Sequence, residues 1–279
     1  NPADIINAQR RVALTLFDER MGVPLLKLHL PVESLGWNFY LIGLLENFSS
    51  VDRAGMAARA ELVSGSVELG ISGLVRRHDP MRLAADISAG IGDFDVKSEV
   101  GLALDRDDPG GLDKASIQAA FGLEYGIKYS DEDAMFLGME YFYNHRGADR
   151  FDGADFVERV FVERTAQFFY YGKQYAAAYL SLPNPGSFND TYVNASLLAA
   201  LSDGSYASRF DISQQLLTFM RLQAFVMFHF GEPGELRFGR DALGEQLADQ
   251  MAPLLYLDQQ QPRLNNPTFD LGLWLRIDL

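Results

Sequence analysis

Residues 115–144 read ASIQAAFGLEYGIKYSDEDAMFLGMEYFYN, and the fold turns on how that stretch is parsed. Taken two at a time, Ile117, Ala119, Phe121, Leu123, Tyr125, Ile127 and Tyr129 are apolar or aromatic. Between them lie Gln118, Ala120, Gly122, Glu124, Gly126 and Lys128, which are small or polar. Ser130-Asp131-Glu132-Asp133 interrupts the run. Met135, Leu137, Met139, Tyr141 and Tyr143 then resume it against Phe136, Gly138, Glu140 and Asn144. A period of two means strands, because successive side chains leave opposite faces of the pleat. Both strands of this hairpin outrun the ~5–6 residues usual in soluble sheets. One face is apolar with tyrosines near the ends; the other carries charge and glycine. A strand that crosses a bilayer with its back to a wet interior needs that division.

Composition narrows the alternatives. A chain of 279 residues would accommodate two soluble domains or one large closed sheet. Apolar residues make up 48% and the mean hydropathy is −0.07. No stretch reaches the ~20 apolar residues of a spanning helix, but alternating strands escape such averages. There is no cysteine, which excludes disulfides and thiolate metal sites. With 38 acidic against 24 basic residues the net charge is −14, which argues against a nucleic-acid partner. The start at Asn1-Pro2-Ala3-Asp4 is expected to follow a processing site or missing upstream residues.

Outward from the hairpin, alternation recurs. Before it, strands are expected over Val23–Pro31 (Leu26, Leu28 and Leu30 against Lys27 and His29), over Trp37–Glu46, and over 57–77 folded at Ser64-Gly65-Ser66. Met81–Ile91 and Phe94–Leu104 form a further hairpin about Gly92-Asp93, residues suited to a tight turn. A shorter strand is read at Arg11–Phe17. After the hairpin, a charged and irregular segment runs to Arg164. Strands follow over Phe168–Leu182, with Lys173, Tyr175 and Tyr179 inward, over Thr191–Ala199, Phe210–Leu216 and Leu222–Phe230, and finally over Phe269–Leu279. Turns are expected at Ser202–Ser205 and Leu217-Thr218. Leu243, Leu247, Met251, Leu254 and Leu255 fall at helical spacing and predict an amphipathic helix over 241–256.

The expected architecture is all-β: a transmembrane, antiparallel, up-and-down β-barrel of about 14 strands, or about 16 with upstream residues, since bacterial barrels keep an even number. It forms a single domain over 1–279. Residues 1–22 lead in, 231–267 form a long outer loop with the short helix, and 268–279 close the sheet. With the tight turns on the inner side, the loops at 105–114, 145–165 and 231–267 all fall outside.

Inward charges are the functional candidates. Register groups Arg82, Asp86, Lys97 and Glu99, sets Glu124 against Glu140, and gathers Arg209, Asp211 and Arg221. Such residues either line a pore that selects solutes by charge or satisfy one another inside a filled barrel. The four histidines, 29, 78, 145 and 229, lack paired spacing for a metal, and no serine has the context of a nucleophile. No catalytic residue, metal or cofactor is expected. The acidic loop Asp105–Gly111 fails the calcium-loop pattern, and Asp149, Asp152, Asp155 and Glu158 read as solvated. Tyr125, Tyr129, Tyr141, Tyr143, Phe168 and Tyr170 fit an interfacial girdle.

Over Val23–Leu279 the amphipathic strands, short turns opposite long loops and terminal strand resemble porin-like outer-membrane β-barrels of Gram-negative bacteria. Leu279 departs from the aromatic last residue usual there. Asn1-Pro2-Ala3-Asp4-Ile5-Ile6-Asn7, followed by Gly22-Val23-Pro24-Leu25-Leu26-Lys27-Leu28, is similar to a stretch of porin-like families in which a strand precedes the Asn-Pro segment. The resemblance implies an outer-membrane location, contact with lipid and lipopolysaccharide, and passive or facilitated transport, and it implies no substrate. The expected function is a porin or diffusion channel for small hydrophilic solutes, with 231–267 as gate or plug. The alternative is a non-conducting anchor or scaffold whose long outer loops bind an envelope protein.

Overall fold

The computed structural model describes residues 24–45, 54–77, 79–104, 115–131, 133–163, 166, 170–186, 188–245 and 268–277. Thirteen antiparallel strands follow one another up and down, each beside the next in sequence. Among the described residues the order begins at β1 and ends at β13, with no ladder joining those two. The chain divides into two compact units, Asn1–Leu123 with Phe142–Arg146, and Glu124–Tyr141 with Gly147–Leu279.

The first unit holds β1 (Leu25–Val32), β2 (Trp37–Leu44), β3 (Gly55–Ser64), β4 (Val67–Arg76), β5 (Met81–Ile91), β6 (Phe94–Leu104) and the first part of β7 (Ser116–Lys128). Gly65 and Gly92 take φ of +61° and +65° in the two-residue turns after β3 and β5, a backbone that residues with a Cβ rarely adopt. Alternation sends Leu26, Leu28, Leu30, Phe39, Leu41, Met56, Ile71, Val75, Ile87 and Val100 to one face, where all are exposed. The opposite face is polar but not throughout. Register aligns Ile42, Ala57 and Leu74 across β2, β3 and β4. These three, with Leu44 and Ala84 and flanked by Tyr40, form a small buried core. That face, read from sequence as carrying charge and glycine, thus also holds a patch of five apolar residues on the polar phase of neighbouring strands.

Beside that core runs a charged network. Arg59 on β3 donates two hydrogen bonds to Asp86 on β5, at 2.8 and 2.9 Å, and a third to Glu61 at 2.9 Å. To reach Asp86 it crosses β4 directly over Gly70, where a Cβ would collide with both the guanidinium and the carboxylate. Tyr40 donates to Glu61 at 2.9 Å. Lys27 sits 4.1 Å above the Tyr40 ring, against which His29 stacks.

The second unit holds the end of β7, most of β8 (Ala134–Asn144), then β9 (Gln174–Pro183), β10 (Thr191–Ala200), β11 (Ser205–Leu217), β12 (Met220–Gly231) and β13 (Phe269–Ile277). Its apolar face includes Leu137, Met139, Leu197, Phe210, Ile212, Phe228 and the row Phe269, Leu271, Leu273, Leu275 and Ile277, again all exposed. Tyr179 repeats the device of Arg59: it lies over Gly138 of β8 and donates to Glu124 of β7 at 2.6 Å.

Two sequence expectations need correction, and a third falls mostly outside the described residues. The strand read from Phe168 begins at Gln174, because the backbone just before it is already paired: Ala148 donates to Tyr171 at 2.8 Å and Lys173 donates to Ala148 at 3.0 Å. Lys173 therefore precedes the strand and pairs with Asp149 at 2.8 Å. The segment read as irregular contains α1 (Gly153–Val157), whose first amides are capped by Asp152, followed by a wider helical turn over Glu158–Val162. The helix read over 241–256 is represented by α2 (Arg240–Leu243). Gly244, at φ +76°, ends that turn, and residues 246–256 lie outside the described set. So do Arg11–Phe17, His78 and the loop 105–114. Among the described residues no helix is long and apolar enough to cross a membrane.

Gly70→Val should displace Arg59 from Asp86 and lower stability by about 1–3 kcal/mol, the usual range for disrupting a buried polar network. Gly90→Val, where a Cβ would meet nothing nearer than Asp95 at 3.7 Å, should change it by less than about 1 kcal/mol. Urea unfolding of the two refolded variants checks the contrast.

Candidate functional site

Two places concentrate chemistry: the polar sheet face, and a buried cluster at one end of the second unit. On the polar face of the first unit, Asp86 stands opposite Glu99 in register, and its cation is Arg59 rather than Lys97. Lys97 stands opposite Ser88, which has Glu68 on its other side. Arg82 is half-buried between Leu74 and Ala103. Arg59 and Glu61 complete this group and were not singled out from the sequence, because Arg59 sits two strands from its partner. The glycine between them was the available signal.

In the second unit Glu124 accepts from Tyr179, and Glu140 lies on the same strand as Gly138. Arg209 and Asp211 form a close pair, with contacts of 2.6–3.0 Å, and the guanidinium lies 4.3 Å from the Phe225 ring centroid. Arg221 stands apart from that pair, at the other end of β12. It donates to Gln215 at 3.2 Å and faces Arg276 across the β12–β13 ladder. His29 contacts Asn38 at 2.8 Å. His229 places one ring nitrogen against the Leu236 carbonyl at 2.5 Å and the other against the Asp270 carboxylate at 2.9 Å. Both neighbours are acceptors, so the ring is engaged on both sides. Among the described residues no group of three or more His, Asp or Glu is gathered as metal ligands.

The buried cluster is the feature that strand-by-strand reading missed. It forms where residues 147–173, the β10–β11 turn and the segment after β12 meet. Glu235 is 1% exposed. Its carboxylate accepts from the Tyr171 amide at 3.0 Å, the Gly172 amide at 3.3 Å and the Tyr175 hydroxyl. Asp203 accepts from the Glu235 amide at 2.9 Å and from Ser205 through both its amide and its hydroxyl. The Ser205 hydroxyl in turn accepts from the Leu236 amide at 3.0 Å, and Ser202 accepts from Lys173 and Gln174. Four hydrophilic side chains thus close the backbone polar groups of three separate segments.

An aromatic core lies against this knot. Phe156 and Tyr171 are fully buried, their ring centroids 5.2 Å apart, and Phe151 and Phe238 pack on Phe156 at 5.2 and 5.0 Å. The Tyr171 hydroxyl donates to Asp155 at 2.6 Å, and Arg159 lies over the Tyr171 ring. Burial and the Asp155 carboxylate push the Tyr171 hydroxyl up. Asp149, Asp152 and Asp155, read as solvated from sequence, each hold part of this cluster: Asp149 through Lys173, Asp152 as the α1 cap, and Asp155 through Tyr171. None of this is periodic, so hydrophobic phase could not reveal it.

Among the described residues no cation is paired with Glu235. Burial raises its pKa above the ordinary 4.5, with Asp203 adding to the rise and the Tyr175, Tyr171 and Gly172 donors opposing it. The closed cluster therefore holds its proton more tightly than an opened one. Its stabilisation is complete below about pH 4.5 and is lost as pH rises through the raised value.

Glu235→Ala should leave three donors without their acceptor and loosen the lid by about 2–4 kcal/mol, at the penalty usual for unsatisfied buried groups. Faster amide exchange at Tyr171 and Gly172 checks this. Glu235→Gln should flatten the pH dependence of that exchange.

No protein-family model and no curated protein matches the chain.

Proposed function

We propose that the chain is an outer-membrane porin, a diffusion channel for small hydrophilic solutes, whose strands with at least one more close into a transmembrane barrel. The observation that carries this reading is the uncovered apolar face. Leu26 is 73% exposed, Leu271 76% and Leu273 69%, each in the apolar phase of an alternating strand. Burying such a side chain away from water is worth about 1.5–3 kcal/mol, so rows of them call for lipid. An even strand number is the rule for bacterial barrels, and a fourteenth strand would meet it. Within the second unit the connections after β8 and β12, 145–173 and 232–268, are long and on the same side, as the long external loops of such barrels are. The outer end then faces lipopolysaccharide.

On this reading Arg82, Asp86, Lys97, Glu99, Glu124, Glu140, Arg209, Asp211 and Arg221 face the lumen, and the Glu235 knot is a lid at the outer mouth. Lid closure adds gating to simple diffusion. The non-conducting anchor draws support from the Arg59–Glu61–Asp86 network, whose charges satisfy one another without a solute.

Planar-bilayer recording of the refolded protein tests the choice. The porin reading expects stepwise conductance, and a higher open fraction in Glu235→Ala. Each ~1.4 kcal/mol lost from the lid corresponds to about a tenfold change in the closed-to-open ratio. Silence from both proteins, despite folded and membrane-inserted sheet, would favour the anchor.

A further inference from the structure

We infer that His229 and Glu235 form a proton-operated latch, which holds the segment after β12 closed in acid and releases it as the pH rises. The inference rests on the channel reading for its use as a gate, but its geometry lies wholly within the second unit.

Glu235 and Leu236 belong to no helix or strand, yet they are only 1% and 2% exposed, so side chains must hold their backbone. Asp203 accepts from the Glu235 amide, Ser205 accepts from the Leu236 amide, and His229 meets the Leu236 carbonyl at 2.5 Å. The other ring nitrogen of His229 meets Asp270 on β13 at 2.9 Å. An imidazolium donates from both nitrogens, which suits two oxygen acceptors; a neutral ring donates from one only. Deprotonation therefore sets a nitrogen lone pair against either the carbonyl or the carboxylate. Six residues along the chain, the Glu235 carboxyl is enclosed by the Tyr171 and Gly172 amides and the Tyr175 hydroxyl, with no cation beside it among the described residues. Its ionisation places a buried charge near Asp203. Both groups thus respond to a proton in the same direction, and both act on the same short stretch of backbone. Of the other charges nearby, Arg209, in phase with His229 on β11, is held by Asp211. Arg237 donates to the Gly231 carbonyl, Arg240 lies 3.8 Å from Glu245, and Lys173 pairs with Asp149. On the far side of Tyr171, Asp155 and Arg159 stand 3.6 Å apart, and Glu232, beside Gly204, is a further acid.

Amide protection factors of the refolded full-length protein, which divide out the pH dependence of intrinsic exchange, read the latch directly. Protection at Tyr171, Gly172 and Leu236 should fall at least about tenfold between about pH 5 and about pH 8, the range in which imidazole ordinarily changes charge. Protection at Leu74, within β4, should hold. His229→Gln/Glu235→Gln removes both titrating groups and should abolish the fall. Asp270→Asn keeps both groups, but its amide can donate to the neutral ring, so it should reduce the fall. Protection that does not change with pH in the unaltered protein, or a fall that both variants retain in full, overturns the latch. Bilayer recording at the same two pH values separates the two claims. Falling protection without conductance at either pH leaves the latch standing and removes the channel. Conductance with unchanging protection overturns the latch and leaves the channel.

Discussion

Leu271, Leu273, Leu275 and Ile277 on β13 each leave more than half of their surface uncovered, and Leu26, Leu28 and Leu30 on β1 do the same. In water each would carry a hydration cost, and the channel reading gives these in-phase side chains a lipid to face instead. On that reading lipid would remove the cost without protein contacts, and it would impose a second condition. Every backbone amide and carbonyl at membrane depth must be paired within the sheet. An uninterrupted antiparallel order of strands meets that condition locally, through one ladder after another. The long strands, tight turns and alternation are what the same two demands would produce.

The polar face has the opposite problem. Charges there must be hydrated or matched, and the structure matches several of them by reaching across a whole strand. Arg59 passes over Gly70 to Asp86, and Tyr179 passes over Gly138 to Glu124. In both cases the missing side chain of the intervening residue is what allows the contact. These reach-over pairs tie strands that share no ladder, and they set a polar surface that is ordered rather than merely wet.

The strands were largely legible in the sequence, since phase alone separates Leu26, Leu28 and Leu30 from Lys27 and His29, and Gly92 marks its turn. Boundaries were less so: the aromatic pattern read from Phe168 runs on to Tyr171, Gly172 and Lys173, whose backbone groups serve the buried cluster. Charge groupings were legible only between neighbouring strands. Arg59 and Asp86 lie on strands β3 and β5, and nothing in the spacing of a single strand joins them. The lid was invisible for a different reason. Glu235, Asp203 and Tyr171 come from three connections with no common period, Ser205 opens β11, and their meaning resides in which backbone groups they close.

The central claim is that one face of each strand meets lipid while the other meets water. The chain has no cysteine, so single cysteines can be introduced one at a time along β7, from Ile117 to Lys128, without background. Each variant, reconstituted into liposomes, is then treated with a membrane-impermeant maleimide. The account predicts labelling with a period of two, strong at Gln118, Gly122, Glu124 and Lys128 and weak at Ala119, Phe121, Leu123 and Tyr125. Labelling that is uniform along the strand, or strong on the apolar phase, would contradict it.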